Sequence, residues 1–467
     1  MATLQFLGAT DTVTGSRFLL RSEKNQLLVD CGLFQGPKEL RLRNWAAFPR
    51  DVGSLKHIVL THAHLDHTGF FPRLVKEGFQ GEVLATPATV DLCGLLWPDA
   101  GHLQEEDARF ANKQGFSRHK PALPLYTETE AVEALSFLKS IPYLTDHPVS
   151  PDLSFFLMTA GHILGSSFVK VTVQENSIPF TILFSGDLGR YDQPIIPDPS
   201  SVPEADYLVL ESTYGDRLHD STDPRQALAS VIKETAERGG IVIIPSFAVG
   251  RTQGLLYILR ELEDRGWIPH LPVFVDSPMA VDATAIAMKY PEEHDLDMTE
   301  MLRAGVDPLN TRQVHFVRDA ESSKALNEQL YPMIVIAASG MATGGRVLHH
   351  LVHRLPDPRN TILFVGYQAE GTRGRSLLEG APAVKIHGQM IPVRARIKSL
   401  DSFSAHADWS EILRWLGNFR KAPRLTFLVH GEPAPRRALA ERIRRQLKWN
   451  VALPTYQEEF QLGTELL

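Results

Sequence analysis

The sequence predicts an α/β protein with two domains, on three observations. The chain has 467 residues and is 43% hydrophobic, more than one ordinary core holds. In its first and last parts, short apolar runs repeatedly end on His, Asp or Glu, as when strand ends deliver side chains to a site. From about Asp223 the texture changes to continuous apolar strands alternating with amphipathic helices, which means a parallel sheet covered on both faces.

Composition narrows the function. Charged residues make up 22% of the chain and the net charge is -7, so no global basic field attracts nucleic acid, and a polyanion would need a local cluster. Two cysteines, Cys31 and Cys93, cannot build a disulfide framework and fit a reducing cytosol. The opening MATLQFLGAT has no basic segment followed by an apolar core, and no apolar run approaches a membrane span. The expectation is a soluble cytoplasmic enzyme with no membrane partner.

Residues 3–30 read as two or three strands, with Arg17-Phe18-Leu19-Leu20 and Gln26-Leu27-Leu28-Val29 separated by the turn Ser22-Glu23-Lys24-Asn25. Asp30 closes this run, either as a turn residue before Cys31-Gly32 or as a carboxylate that fixes a ligand imidazole. The buried strand His57-Ile58-Val59-Leu60 then delivers Thr61-His62-Ala63-His64-Leu65-Asp66-His67 onto a loop closed by Thr68-Gly69. Three imidazoles and a carboxylate in six residues ask for a borderline divalent ion such as zinc, and the lack of nearby cysteine argues against a structural thiolate site. The bland alternative is a polar surface loop. A strand near residues 82–86 follows, and residues 88–140 read as helix interrupted by proline.

The strand-then-ligand pattern then recurs. Phe155-Phe156-Leu157-Met158 leads to Ala160-Gly161-His162-Ile163-Leu164-Gly165-Ser166, Phe180-Thr181-Ile182-Leu183-Phe184 leads to Ser185-Gly186-Asp187, and Tyr207-Leu208-Val209-Leu210 leads to Glu211. Beyond the central α/β region, Ser402-Phe403-Ser404-Ala405-His406-Ala407-Asp408 precedes a short amphipathic helix, and Leu425-Thr426-Phe427-Leu428-Val429 ends on His430. His62, His64, Asp66, His67, His162, Asp187 and His430 are too many ligands for one tetrahedral ion. Two ions divide them, with Asp187 as the best bridge, an arrangement that suits phosphoryl displacement.

The central region shows helix periodicity at Leu228, Val231, Ile232 and Thr235, stopped by Gly239-Gly240, followed by the strand Ile241-Val242-Ile243-Ile244. Its loops Ser339-Gly340-Met341-Ala342-Thr343-Gly344-Gly345-Arg346 and Gly371-Thr372-Arg373-Gly374-Arg375 offer amides and guanidinium groups that can cradle phosphate; tight turns with solvated arginines are the alternative. The basic helix after Pro435 reads as a solvated face.

Taken as a set, these motifs resemble the metallo-β-lactamase superfamily and, within it, the β-CASP nucleases. Asp30, His62, His64, Asp66, His67, His162 and Asp187 match the superfamily motifs; Glu211, His406 and His430 match the β-CASP additions. The resemblance implies an αββα metallo-β-lactamase sandwich formed by residues 1–215 and 396–467, with a Rossmann-like parallel α/β β-CASP domain, residues 216–395, inserted between them. It implies two Zn2+ ions, with Mn2+ as the alternative metal. His62, His64, His162 and Asp187 would hold one, and Asp66, His67, Asp187 and His430 the other. His406 would face the scissile phosphate with Glu211 behind it, so the catalytic group is Asp66, Asp187, His406 and Glu211. Ser339, Gly340, Arg346, Arg373 and Arg375 match the family's phosphate-facing loops.

Histidine at the position of His430 resembles the RNA-processing branch, which implies a ribonuclease acting on single-stranded RNA by attack of a metal-bound hydroxide, with cleavage inside the chain or from the 5′ end both open. The chain resembles the prokaryotic homologues of the mRNA 3′-end cleavage endonuclease subunit. The expectation is a chain without the N-terminal KH-type extension of archaeal relatives or the C-terminal domain of RNase J, as a monomer or homodimer. A hydrolase of DNA or of a small thioester, lactone or cyclic phosphate keeps the same metal site. A catalytically silent RNA-binding scaffold stands as a third reading.

Overall fold

The computed structural model describes residues 1–115, 119–175, 178–220 and 223–463. The chain divides into two compact units. The first comprises Met1–Tyr191, Asp198–Leu218 and His406–Leu467, and the second Asp192–Pro197 and His219–Ala405.

Among the described residues, the first unit contains two seven-stranded sheets. One runs in the order Glu459–Gln461, Thr3–Phe6, Phe18–Arg21, Gln26–Val29, His57–Val59, Glu82–Ala85 and Leu138–Ser140. The other runs Val451–Ala452, Leu425–Leu428, Tyr207–Leu210, Ile178–Phe184, Ser167–Glu175, Leu153–Thr159 and His147–Ser150. Side-chain alternation decides what each face meets. Val169, Val171 and Val173 on one strand, and Phe180, Ile182 and Phe184 on the next, share a core with Leu4, Phe6, Leu20, Leu27 and Val29 of the facing sheet. The intervening positions Phe168 and Leu183 turn the other way, against Ile412 and Trp415 of helix Trp409–Leu416 and Leu439 and Ile443 of helix Pro433–Gln446. This is sheet on sheet with helices outside, the αββα arrangement.

Residues 87–114 form one helix that carries through Pro98, where proline interruptions were expected. Its buried stripe of Leu92, Cys93, Leu96, Trp97 and Ala100 holds the turn around the missing amide in place. Helix Glu128–Ala134 follows, and residues 138–140 are an edge strand rather than helix.

The second unit is built on a six-stranded sheet in the order Val314–Phe316, Val273–Asp276, Ile334–Ala337, Val242–Pro245, Thr361–Phe364 and Arg396–Ser399, with every pairing parallel. Both faces are covered, as the continuous apolar strands require: Val242, Ile244 and Ile336 point into one core, and Ile243, Val335 and Phe364 into the other. The return to the first unit falls after Ala405, not after residue 395, because strand Arg396–Ser399 completes this sheet beside Thr361–Phe364 and Phe403 packs in its core. Residues Asp192–Pro197 belong here too: Ile195 is buried in the same core and its N–H donates to Asp295 Oδ2 at 2.7 Å.

Among the described residues, no helix is long and apolar enough to cross a membrane.

Candidate metal centre

The loop after strand His57–Val59 is shaped by Asp30. This buried residue sits at φ +61°, accepts the Thr61 N–H on Oδ1 at 2.8 Å and the Thr61 hydroxyl on Oδ2 at 2.9 Å, and faces His67 Nδ1 at 2.7 Å. Gly32 is obligatory beside it, because a Cβ there would lie 1.6 Å from the Asp66 carbonyl oxygen. Helix Leu65–Thr68 then carries Asp66 and His67, with the Thr68 hydroxyl donating to the carbonyls of Ala63 and His64.

The other side chains arrive from the facing sheet. Ser166 Oγ accepts the N–H groups of His162 and Ile163 and fixes the glycine-bracketed turn after strand Leu153–Thr159. Asp187 follows strand Ile178–Phe184 and Glu211 follows Tyr207–Leu210. His406 is carried on an isolated bridge to Gly189, where a side chain is impossible because a Cβ would lie 1.9 Å from the Gly161 carbonyl oxygen. His430 follows strand Leu425–Leu428 and donates its backbone N–H to the Ala9 carbonyl at 2.6 Å.

Two donor sets result. His62 Nε2 and His162 Nε2 each stand 3.4 Å from Asp187 Oδ2 and 3.1 and 3.3 Å from His64 Nδ1. In a regular tetrahedron with such edges the centre lies about 2.0 Å from each vertex, the length of a zinc–nitrogen bond. The second set has His67 Nε2 3.2 Å from both His430 Nε2 and Asp187 Oδ1, with Asp66 Oδ2 3.4 Å from His430 Nε2. Asp187 therefore offers one oxygen to each set. Its buried Oδ1 makes no well-aligned hydrogen bond among the described residues, although His67 Nε2 and His430 Nδ1 stand 3.2 and 3.4 Å away. Nitrogens and oxygens converging this closely, with a carboxylate oxygen left over, fit a pair of divalent cations.

Proton positions favour the same use. Burial, helped by the neighbouring imidazoles, pushes His62 down to about 3 and His64 to about 4 and holds His162 well below the usual range, so all three are neutral ligands at neutral pH. Burial opposes charge on His67 as well, but the Asp187 and Asp30 carboxylates outweigh it and hold this imidazole well above the ordinary value. A proton or a cation on Nε2 answers the same carboxylates. Asp187 and Asp66 are held below the carboxylate range against the pull of burial, Asp187 chiefly by His430 and His67 and Asp66 by the same two.

His406 stands apart. Its Nδ1 faces both oxygens of the fully buried Glu211, at 3.2 and 3.1 Å, and lies 3.9 Å from Asp187 Oδ2. Burial disfavours its charged form, yet Glu211 and then Asp187 overcome this and push it up to about 9.

Sequence reasoning missed the hydroxyls that orient these rings. Thr61 Oγ1 lies 3.1 Å from His62 Nδ1 while donating to Asp30, and Thr213 Oγ1 lies 3.2 Å from His430 Nδ1 while donating to the His430 carbonyl. Each hydroxyl thus accepts an Nδ1–H and leaves Nε2 as the ligand. The hint for Thr61 is its position directly before the motif; nothing marks Thr213.

The expected phosphate loops of the second unit look different. Arg346 Nη1 donates to buried Asp276 Oδ1 at 2.7 Å and to the Val317 carbonyl, and Nη2 donates to the Arg318 carbonyl at 2.6 Å. Arg373 donates to the carbonyls of Lys385 and Ala342, and Arg375 donates to Glu379 at 2.7 Å. Ser339 Oγ accepts the Thr343 N–H, and Gly340 packs its backbone on the Phe247 ring. Arg346 and Arg373 are tied into the unit because Asp276 and the buried carbonyls of Val317 and Ala342 need their donors, whereas Arg375 makes an exposed pair with Glu379.

Comparison with known proteins decides the family. The metallo-β-lactamase superfamily matches residues 11–237, the β-CASP domain residues 252–377, and the Zn-dependent metallo-hydrolase RNA specificity domain residues 390–454. Ribonuclease TTHA0252 of Thermus thermophilus is 38% identical over 426 residues, covering 91% of this chain and 92% of that one. The chain belongs to the β-CASP family of the metallo-β-lactamase superfamily. A second β-CASP relative, transcription termination factor FttA of Methanocaldococcus jannaschii, is 30% identical over 97% of this chain and 70% of its own length. Among solved structures, a protein of unknown function from Enterococcus faecalis superposes with a TM-score of 0.54 at 10% identity, covering 98% of this chain and 99% of that one, which speaks for the fold alone.

Proposed function

We propose that this β-CASP protein is a two-zinc ribonuclease that hydrolyses phosphodiester bonds in single-stranded RNA. The observation that carries the reading is Asp187, whose two oxygens each face a separate set of ligand atoms. His62, His64, His162 and Asp187 hold one ion; Asp66, His67, His430 and Asp187 hold the other. When bound, the ions supply Lewis-acid chemistry, acidifying a water and neutralising charge on phosphoryl oxygens.

The protein's own groups do the rest. Asp30, through His67 and through Thr61, and Thr213, through His430, keep protons on the far ring nitrogens, so the near ones are preorganised as ligands. With a value near 9, His406 carries a proton at neutral pH, and with Nδ1 committed to Glu211, Nε2 is the nitrogen that gives a proton to the leaving oxygen. Glu211 also accepts the Leu188 N–H at 2.6 Å, which locks the carboxylate that orients His406.

RNA is the substrate class because the match to an RNA specificity domain and a ribonuclease relative covering nearly the whole chain both support it. A silent scaffold is disfavoured because all seven ligand side chains are kept and converge. The cytosol suits two free, buried cysteines. The test is incubation of the zinc-loaded protein with circular RNA and with 5′-labelled linear RNA. Cutting of the circle establishes endonuclease activity, stepwise loss of 5′ label establishes exonuclease activity, and failure to degrade either refutes the reading.

A further inference from the structure

In the second unit, strands Val242–Pro245 and Ile334–Ala337 are parallel neighbours. The helices that follow them pack on opposite faces of the sheet. Arg251–Asp264 sends Leu255, Leu259 and Leu262 into one core, and Val347–Arg354 sends Val347, Leu348 and Leu351 into the other. Adjacent strands whose connections part in this way open a crevice at their C-terminal ends, where open α/β sheets take ligands.

Phe247 stands at this crevice. Its neighbours Ser246, Ala248 and Val249 are buried, yet its own side chain is 39% exposed. The ring is not loose. Thr252 Oγ1 donates to the Phe247 carbonyl at 2.8 Å, and a Cβ on Gly340 would lie 2.7 Å from Phe247 Cδ2, so the glycine backbone lies directly against the ring. Gln368 fixes that backbone in turn, donating Nε2 to the Gly340 carbonyl at 3.1 Å. The result is a partly exposed aromatic side chain seated against the Gly340 backbone, ordered before anything binds.

Charge explains why such a group is needed. The chain carries a net charge of -7, and Arg346, Arg373 and Arg375 are engaged by carbonyls and carboxylates of their own unit. Contacts other than phosphate neutralisation can then add to the affinity for a polyanion. Stacking on an aromatic ring is the sequence-tolerant alternative, because every base has a π-face. We propose that Phe247 is the stacking platform for a nucleobase of single-stranded RNA, an inference that rests on the ribonuclease reading above.

The test uses the full-length, zinc-loaded protein and a phosphorothioate oligoribonucleotide carrying one 2-aminopurine at successive positions. Stacking quenches the fluorescence of the probe at one register. Phe247→Leu is expected to abolish that quench and weaken binding about tenfold, while Phe247→Trp retains both. Gly340→Ala, which pushes the ring from its seat, is expected to act like Phe247→Leu. In cleavage assays the Leu variant raises KM and leaves kcat within about twofold, as loss of a contact made equally in ground and transition states requires. Unchanged affinity and quench in Phe247→Leu, or a change in oligomeric state instead of RNA binding, overturns the proposal. If the Leu variant loses the quench but the parent protein cleaves no RNA, the stacking platform stands and the ribonuclease reading falls. Cleavage by Phe247→Leu with the parent's kinetics leaves the ribonuclease reading standing and removes the platform.

Discussion

Glu211 faces His406 Nδ1 with both carboxylate oxygens, at 3.2 and 3.1 Å, from a position with no exposure to solvent. The imidazole belongs to neither donor set, so its removal separates catalysis from metal binding. His406→Ala is expected to keep its zinc content by elemental analysis and to lose cleavage rate by about 10²- to 10⁴-fold. A variant that loses zinc would show that His406 is a ligand and not a proton donor.

Asp187 is expected to behave in the opposite way. It contributes an oxygen to each set, and Asp187→Ala removes both at once. The expected outcome is loss of both ions together with all activity. Retention of one full equivalent of zinc would contradict a shared carboxylate.

Asp30 touches neither donor set through a ligand atom, yet it governs His67 directly and His62 through Thr61. Asp30→Ala is expected to weaken zinc binding about 10- to 100-fold in a chelator competition, with activity restored by excess zinc. Activity that zinc fails to restore would assign Asp30 a role in folding alone.

Asp276 tests the second unit. Burial alone would raise its carboxyl, but the donors His350, Ser323 and Arg346 outweigh this and hold it below the ordinary aspartate value. A depressed carboxylate stabilises the fold above its unfolded value and loses that contribution as pH falls through the lower, folded value. Asp276→Asn is therefore expected to cost about 3 kcal/mol at pH 7 in urea unfolding. The gap should narrow as the pH falls below about 4, where the unfolded carboxyl takes up its proton. A gap that is constant with pH would mean that Asp276 acts by shape and not by charge.

Much of the candidate site is legible in the sequence for a physical reason. A strand buried on both faces must be apolar, so Leu60 before the histidine motif, Phe184 before Ser185-Gly186-Asp187 and Val429 before His430 make the polar residue that follows conspicuous. The parallel sheet of the second unit is legible in the same way. Hydroxyl roles are not: Thr213 meets a histidine 217 residues away, and only the folded chain reveals the contact. The partners of the loop arginines are not legible either, because an Arg in a Gly-rich turn looks the same in sequence whether it reaches outward or, like Arg346, donates to a buried carboxylate. The end of the inserted region is obscured because strand Arg396–Ser399, with alternating partial exposure, lies at an edge where the apolar pattern is weak.

The last segment of the chain closes the first unit: Leu425–Leu428 adds to Tyr207–Leu210, and Glu459–Gln461 adds to Thr3–Phe6. His430 arrives only with that segment, and its backbone N–H is anchored at Ala9. At a synthesis rate of roughly 5–20 residues per second, the histidine motif leaves the ribosome on the order of tens of seconds before its final partner. The side chains that converge on Asp187 are thus complete only once the last part of the chain has been made.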